Sequence, residues 1–281
     1  MILSTDSTAN LPKEYYEKLN IKMIPLQIIL NDNTYDDLSE KLPNKEYYQQ
    51  MRDGATPTTA QVNEYSAREY FEKLLSLGED VLHIGFSSAL SGSTNTLKRV
   101  AEELNLNHKN KVVVVDSLNA SCGEGILVLY AKDMMNDGKL IDEIKTEIEK
   151  LIPYVCSYFT VEQLKYLVRG GRVGKFSGIV GTLLNIKPVL RVDENGKLVS
   201  YKKIISRKKS IAEMHNIITE KIAEKKYVMI SHAECLDDAK ELANTIKTTL
   251  GVEPIITDLT QVIGSHTGPG LLALFFIGKE K

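Results

Sequence analysis

The hydroxyl-bearing residues of Val81–Thr96 are the most chemically suggestive in the chain. An apolar run ends at Phe86, and four serines, two threonines and a glycine follow within ten residues. An amphipathic segment then starts near Thr94 and runs to Leu104. The pattern is that of a strand, a hydroxyl-rich turn and a helix. In an open α/β sheet such a turn lies at the carboxyl edge, where ligands bind. Serine and threonine are also ordinary N-caps. One cap needs one hydroxyl, and six exceed that need. Hydroxyls beside the free N–H groups of a helix start suit an anionic or carbonyl-bearing head group.

Five further segments share this character. They are Asp6-Ser7-Thr8, Pro57-Thr58-Thr59-Ala60-Gln61, Asp116–Gly125, Arg169-Gly170-Gly171-Arg172-Val173-Gly174 and Ser265–Gly270. Each has a plain structural use. Asp6 and Asp116 fit N-caps, and Thr58 and Thr59 fit a cap for the helix at Asn63. Gly170-Gly171 fits a helix stop, and Arg172 fits a surface cation. His266 differs, because it stands among Ser, Thr, Gly and Pro in what reads as a binding loop. Ser7, Ser88, Ser117 and Ser121 lie in these segments and are expected to support a head-group site.

The elements that position these segments follow from hydrophobic periodicity. Met1–Ser4, Met23–Leu30, Val81–Phe86 and Val112–Val115 read as strands. Asn44–Arg52, Asn63–Leu77, Gly123–Met135 and Leu140–Leu151 read as helices. This alternation predicts a mostly parallel sheet with helices on both faces, a three-layer α/β/α domain. Val155–Phe159, Ile186–Val192, Lys197–Tyr201, Lys203–Ile205, Tyr227–Ser231 and Leu271–Ile277 read as strands of a second half. Its helices read as Val161–Val168, Arg207–Glu224 and Asp237–Leu250. Asp193-Glu194-Asn195-Gly196 predicts a hairpin turn, since Asn-Gly accepts φ > 0. The second half is therefore an α/β domain with a mixed sheet. The expected division is 1–160 and 161–281, so that carboxyl edges of parallel strands bring several polar segments together.

Composition narrows the function. A chain of 281 residues suits one large or two ordinary domains. A net charge of −2 speaks against a generic nucleic-acid binder. Cys122, Cys156 and Cys235 are far apart, which suits reduced thiols and a cytoplasmic location better than a disulfide framework. The amino terminus has no basic leader pattern, and no run approaches a membrane span, so no stable membrane insertion is expected. No HExxH, GxxxxGK[ST], GxSxG or GxGxxG occurs, and the five histidines lack metal-ligand spacing. No metal and no cofactor are expected. Many neutral donors and a few cations suit holding a carboxylate or phosphate better than breaking a bond.

Apolar runs flank the hydroxyls at Ile84–Phe86, Gly123–Leu129, Phe176–Leu184 and Leu271–Ile277. Most such runs are core. A polar head site with apolar walls nevertheless favours an amphiphile. A tail of about fifteen methylenes would gain roughly 12 kcal/mol gross on burial, before the costs of binding.

With these segments in view, the chain resembles the DegV family of fatty-acid-binding proteins. The matching pieces are Asp6–Leu11, Pro57–Gln61, Ser87–Ser93, Asp116-Ser117 with Ser121 and Gly123-x-Gly125, Leu164-x-Tyr166-Leu167 leading to Gly170-Gly171-Arg172, Leu184–Leu190, and His266-x-Gly268-Pro269-Gly270. Each is weak alone; in this order they are specific. The resemblance implies two α/β domains with a long-chain fatty acid sealed between them. It implies presentation of the acid to a separate fatty acid kinase, whose acyl phosphate product enters phospholipid synthesis. By motif, Thr59 and Ser91 correspond to the hydroxyls on the carboxylate. Arg172 and His266 correspond to polar groups near the head, and Phe176–Leu184 to a helix of the tunnel or its lid. The family's Thr-Ser-Gln-Pro is Thr59-Ala60-Gln61-Val62 here, and Ser93 stands where Thr is usual. The competing reading is an enzyme at the same cleft, a phosphotransferase or a serine-dependent esterase. The missing nucleotide-binding and elbow motifs weigh against both.

Overall fold

β-Branched runs fit a pleated surface buried on both faces, and such runs centre the first half of the chain. The structure, a computed structural model, describes residues 1–172 and 186–281. The first half runs β1 (Ile2–Asp6), α1 (Lys13–Lys18), β2 (Lys22–Ile24), β3 (Gln27–Leu30), β4 (Asn33–Asp36), α2 (Asn44–Arg52), β5 (Thr58–Ala60), α3 (Glu64–Leu75), β6 (Val81–Gly85), α4 (Ser93–Asn105), β7 (Val112–Asp116), α5 (Cys122–Asn136) and α6 (Ile141–Leu151). Strands β2-β1-β6-β7 form a wholly parallel sheet in that order. Helix pairs α3–α4 and α5–α6 pack on it.

Two details depart from expectation. Met23–Leu30 is not one strand. Pro25 lacks the N–H that a ladder needs, so β2 ends at Ile24 and β3 starts at Gln27. β3 then turns into a separate antiparallel sheet of order β4-β3-β5. Thr58 and Thr59 accordingly lie on a strand, and Asn63 alone caps α3 through its side chain.

The second half runs β8 (Val155–Thr160), α7 (Leu164–Gly170), β9 (Val189–Val192), β10 (Leu198–Lys202), α8 (Arg207–Lys221), β11 (Ile222–His232), α9 (Leu236–Leu250), β12 (Ile255–Asp258), α10 (Gln261–Thr267) and β13 (Leu272–Gly278). Its sheet has the order β10-β9-β8-β13-β11-β12, parallel only between β11 and β12. The Asp193–Gly196 turn joins β9 to β10 with Gly196 at φ 75°. Lys203–Ile205 is not a strand. The helix expected to reach Glu224 stops at Lys221, where β11 begins. Because β8 pairs with β13 and β9, we place the division between the halves ahead of Val155. The expected boundary at residue 160 would part this strand from its own sheet.

Alternation along the mixed sheet gives it two cores. Leu272, Leu274 and Phe276 pack with Ile211, Met214 and Leu242 of α8 and α9. Leu271, Ala273 and Phe275 face the main core shared with the first half. Between the two sheets lies α5, which touches β1 and β6 on one side and β8, β11 and β13 on the other. A helix placed so must be apolar all round, and Ile126–Leu129 are buried. Its two early glycines permit the close approach. A side chain at Gly125 would collide with the Ala9 carbonyl, and one at Gly123 with Ser157.

Candidate functional site

A cavity of about 450 Å³ opens where the two halves meet, a size usual for small-molecule sites (roughly 300–1,000 Å³). The turns after β6 and β7 supply Phe86, Ser88, Ser91 and Ser121. The mixed sheet supplies Ser157, Phe159, Ser231, Ala273 and Phe275. Thr59 of β5, Arg172 beyond α7 and His266 of α10 complete the polar end.

Thr59 and His266 meet directly, with Oγ1 and Nε2 2.8 Å apart. Burial, then the guanidinium of Arg172, push the imidazole down to about 4. His266 is thus neutral at physiological pH. Its Nδ1 has no hydrogen-bond partner among the described residues. That face of the ring stands against Gly170, where a side chain would collide with Nδ1 and with the His266 backbone. Gly170 is therefore needed for closeness, and Gly171, at φ 66°, for the left-handed turn that ends α7. Arg172 follows that turn. Its Nη1 donates to the Gly170 carbonyl at 2.7 Å, which holds the guanidinium beside His266. Ser91 is fixed by Ser93: the two Oγ atoms are 3.0 Å apart, and Ser93 N–H donates to Ser91 Oγ at 3.3 Å. Ser93 Oγ also accepts the Val62 N–H at 3.1 Å, tying the turn after β6 to the segment after β5.

Thr59, Ser91, Arg172 and His266 thus line one cavity, joined by Ser88 and Ser121. Ser7 and Ser117 do not reach its wall. Ser7 Oγ accepts the Leu26 N–H, and Ser117 Oγ donates to the Asn119 carbonyl. Both are fully buried; Ser117 holds its own turn, and Ser7 ties the start of the small sheet to the turn after β1. His266 does not sit in a loop; it lies in the last turn of α10. Of the expected apolar walls, Phe86, Leu271, Ala273 and Phe275 contribute, while Ile84 and Gly123–Leu129 are core away from the cavity. Phe176–Leu184 lies outside the described residues. Ser157 and Ser231 were not expected at the site. The signal for them was a lone serine within each apolar strand, on the face that β8 and β11 turn toward α5.

Asp6 and Glu124 sit behind the carboxyl edge of the parallel sheet. Thr8 Oγ1 lies within hydrogen-bond distance of both carboxyl groups, and Thr5 Oγ1 stands 2.8 Å from Glu124 Oε1. Burial, with Asp6 close by, raises Glu124 well above the usual carboxylate range. Asp6 also accepts the Phe86 N–H at 3.0 Å, fixing the start of the hydroxyl-rich turn. Among the described residues no group of three or more His, Cys, Asp and Glu side chains is placed to hold a metal ion.

Two α/β halves, a parallel and a mixed sheet, and a cavity lined by hydroxyls, an imidazole and a guanidinium define a class of α/β protein with a pocket where its halves meet. Within that class the chain belongs to the DegV family, whose model, described as an uncharacterised protein of the DegV family, matches residues 2–279. A DegV domain-containing protein of Clostridium perfringens is 38% identical, with 100% of this chain and 98% of that one covered. Among solved structures, a Thermus thermophilus DegV family protein described by its fatty acid binding superposes with a TM-score of 0.89 at 30% identity, covering 99% of both chains. The fatty acid binding protein DegV of Bacillus subtilis gives 0.86 at 29%, again covering 99% of each chain.

Proposed function

We propose that this protein binds a long-chain fatty acid, with the tail between the two sheets and the carboxylate at Thr59, Ser91, His266 and Arg172. The carrying observation is that these four side chains line one mainly apolar cavity, with Thr59 bonded to His266 and Arg172 reaching the Leu90 carbonyl beside Ser91. Hydroxyl and guanidinium donors match an acceptor-only carboxylate. Fatty acid binding by the Thermus thermophilus and Bacillus subtilis relatives supports the same reading.

We further propose that the bound acid is presented to a separate fatty acid kinase in the cytoplasm, with no turnover by this chain itself. An esterase needs a carboxylate to stabilise the imidazolium formed during catalysis. His266 has two arginines for charged neighbours instead, and both disfavour its protonated form. No helix among the described residues is long and apolar enough to cross a membrane. Arg172 is exposed at the cavity edge, where its fork suits the phosphate that forms on the carboxylate. Arg172→Ala is expected to copurify with fatty acid but to lose most acyl-phosphate production when supplied with a partner kinase and ATP. Undiminished production by that variant would remove Arg172 from the transfer step.

A further inference from the structure

Helix α10, which carries His266, belongs by sequence to the second half, yet the first half fixes it. Asn10 Nδ2 donates to the Asp258 carbonyl at 2.9 Å, and its Oδ1 accepts the Thr260 N–H at 2.7 Å. Tyr47 Oη stands 2.6 Å from Ser265 Oγ. At the first turn, Asp37 Oδ1 accepts the Gln261 N–H at 2.9 Å and the Val262 N–H at 3.3 Å. His266 is one helical turn beyond Val262. Asp37 is itself anchored, for its N–H donates to the Leu26 carbonyl at 2.8 Å just beyond β4.

Asp37 is an expensive choice for this task. It is 3% exposed, and a buried carboxylate without a cation is costly. The groups that face it are the hydroxyls of Ser7 and Thr260 and the phenols of Tyr16, Tyr47 and Tyr48. Among the described residues no lysine, arginine or histidine forms an ion pair with it. Burial accordingly raises its carboxyl to about 6. Asparagine would bury no charge, but its neutral amide oxygen holds the N–H groups of a helix start less strongly than a carboxylate does. A costly group retained at the start of the histidine-bearing helix marks a functional position.

We propose that Asp37 is the positioning residue of His266: its carboxylate pins the first turn of α10 and so sets the imidazole against Thr59 and the head of the bound acid. This rests on the fatty acid reading above. The carboxylate is charged above about pH 6, so its hold weakens as pH falls through that value. His266, pushed down to about 4, stays neutral over the same range.

The test compares palmitate binding by the parent, Asp37→Asn, His266→Ala and the double variant, by titration calorimetry from about pH 8 to about pH 5. Asp37→Asn is expected to melt no lower than the parent and to bind palmitate about tenfold more weakly near pH 8, the scale of one charge-assisted hydrogen bond. Its affinity should also lose the inflexion near pH 6; comparison with the parent cancels the titration of palmitate itself. In the His266→Ala background the same change should cost less than about twofold. Equal losses in both backgrounds, or parent-like affinity in Asp37→Asn, would overturn the proposal. If the parent binds no palmitate, the binding reading has failed, and the His266 ring resonances of ligand-free protein decide. Their movement in Asp37→Asn supports the positioning role, and their constancy refutes it. Should Asp37→Asn not fold, Asp37→Glu replaces it, with the same ring resonances as the deciding signal.

Discussion

Thr59 and His266 share one hydrogen bond, and its direction decides what the ligand meets. A carboxylate only accepts, so in the proposed complex Thr59 turns its O–H toward the ligand. With Thr59 so turned, Nε2 carries the imidazole proton and donates it to Thr59 Oγ1, while Nδ1 stands against Gly170. Ser91→Ala and Thr59→Ala are each expected to weaken palmitate binding by about 1–2 kcal/mol, the worth of a hydrogen bond to a charged group. Titration calorimetry checks this, and unchanged affinity in both variants would remove the head group from this end of the cavity. Gly170→Ala is expected to press on the ring and weaken binding by at least as much, with little change in the α7 helix itself, since alanine favours helix. Parent-like binding in that variant would mean that the ring can retreat at no cost. That Thr59, Ser91, Arg172 and His266 line one cavity was foreshadowed by hydroxyl, imidazole and guanidinium chemistry in polar segments between apolar runs. Ser7 and Ser117 share the composition but do not line the cavity, since a serine bonding to a distant segment or to its own turn looks the same in sequence as one facing a ligand.

At the scale of elements, strongly periodic segments were the legible ones. α3, α4, α6 and α9 each carry an apolar stripe against a polar face. α10 was missed because its seven residues hold only two apolar side chains, Val262 and Ile263, too few for such a stripe; its place comes from Asn10, Asp37 and Tyr47, far away in sequence. β5 was missed for the same reason, being three residues on a small sheet that exists only because Pro25 diverts the chain. The start of α8 carries the densest basic cluster. Lys202 pairs with Glu213 and Arg207 with Asp238, so among the described residues Lys203, Lys208 and Lys209 remain exposed without such partners. These side chains suit an acidic partner surface, and attraction of that kind weakens with salt. Reversing Lys208 and Lys209 to Glu is expected to lower acyl-phosphate formation with the partner kinase at low salt. Undiminished formation there would make the cluster a merely solvated helix start.

On the scale of the whole molecule, the two halves are joined by a shared core rather than by a linker. α5 packs on both sheets, and α10 crosses from one half to be held by the other. Ser87 Oγ also donates to the Gly196 carbonyl at 2.9 Å, docking the β9–β10 turn on the first half. The cavity is therefore built into the seam of a single packed body. Its existence was legible from apolar runs beside hydroxyl-rich turns. Its exact walls were not, because core and cavity demand the same side chains. A ligand enclosed there, with some fifteen methylenes contributing roughly 12 kcal/mol gross at about 0.8 kcal/mol each, should survive purification. The most direct test is mass spectrometry of small molecules released by denaturing the freshly purified protein. The account predicts long-chain fatty acids at close to one per chain, sharply reduced in Thr59→Ala combined with Ser91→Ala. A parent protein that releases none, and takes up none when offered palmitate or oleate, would contradict it.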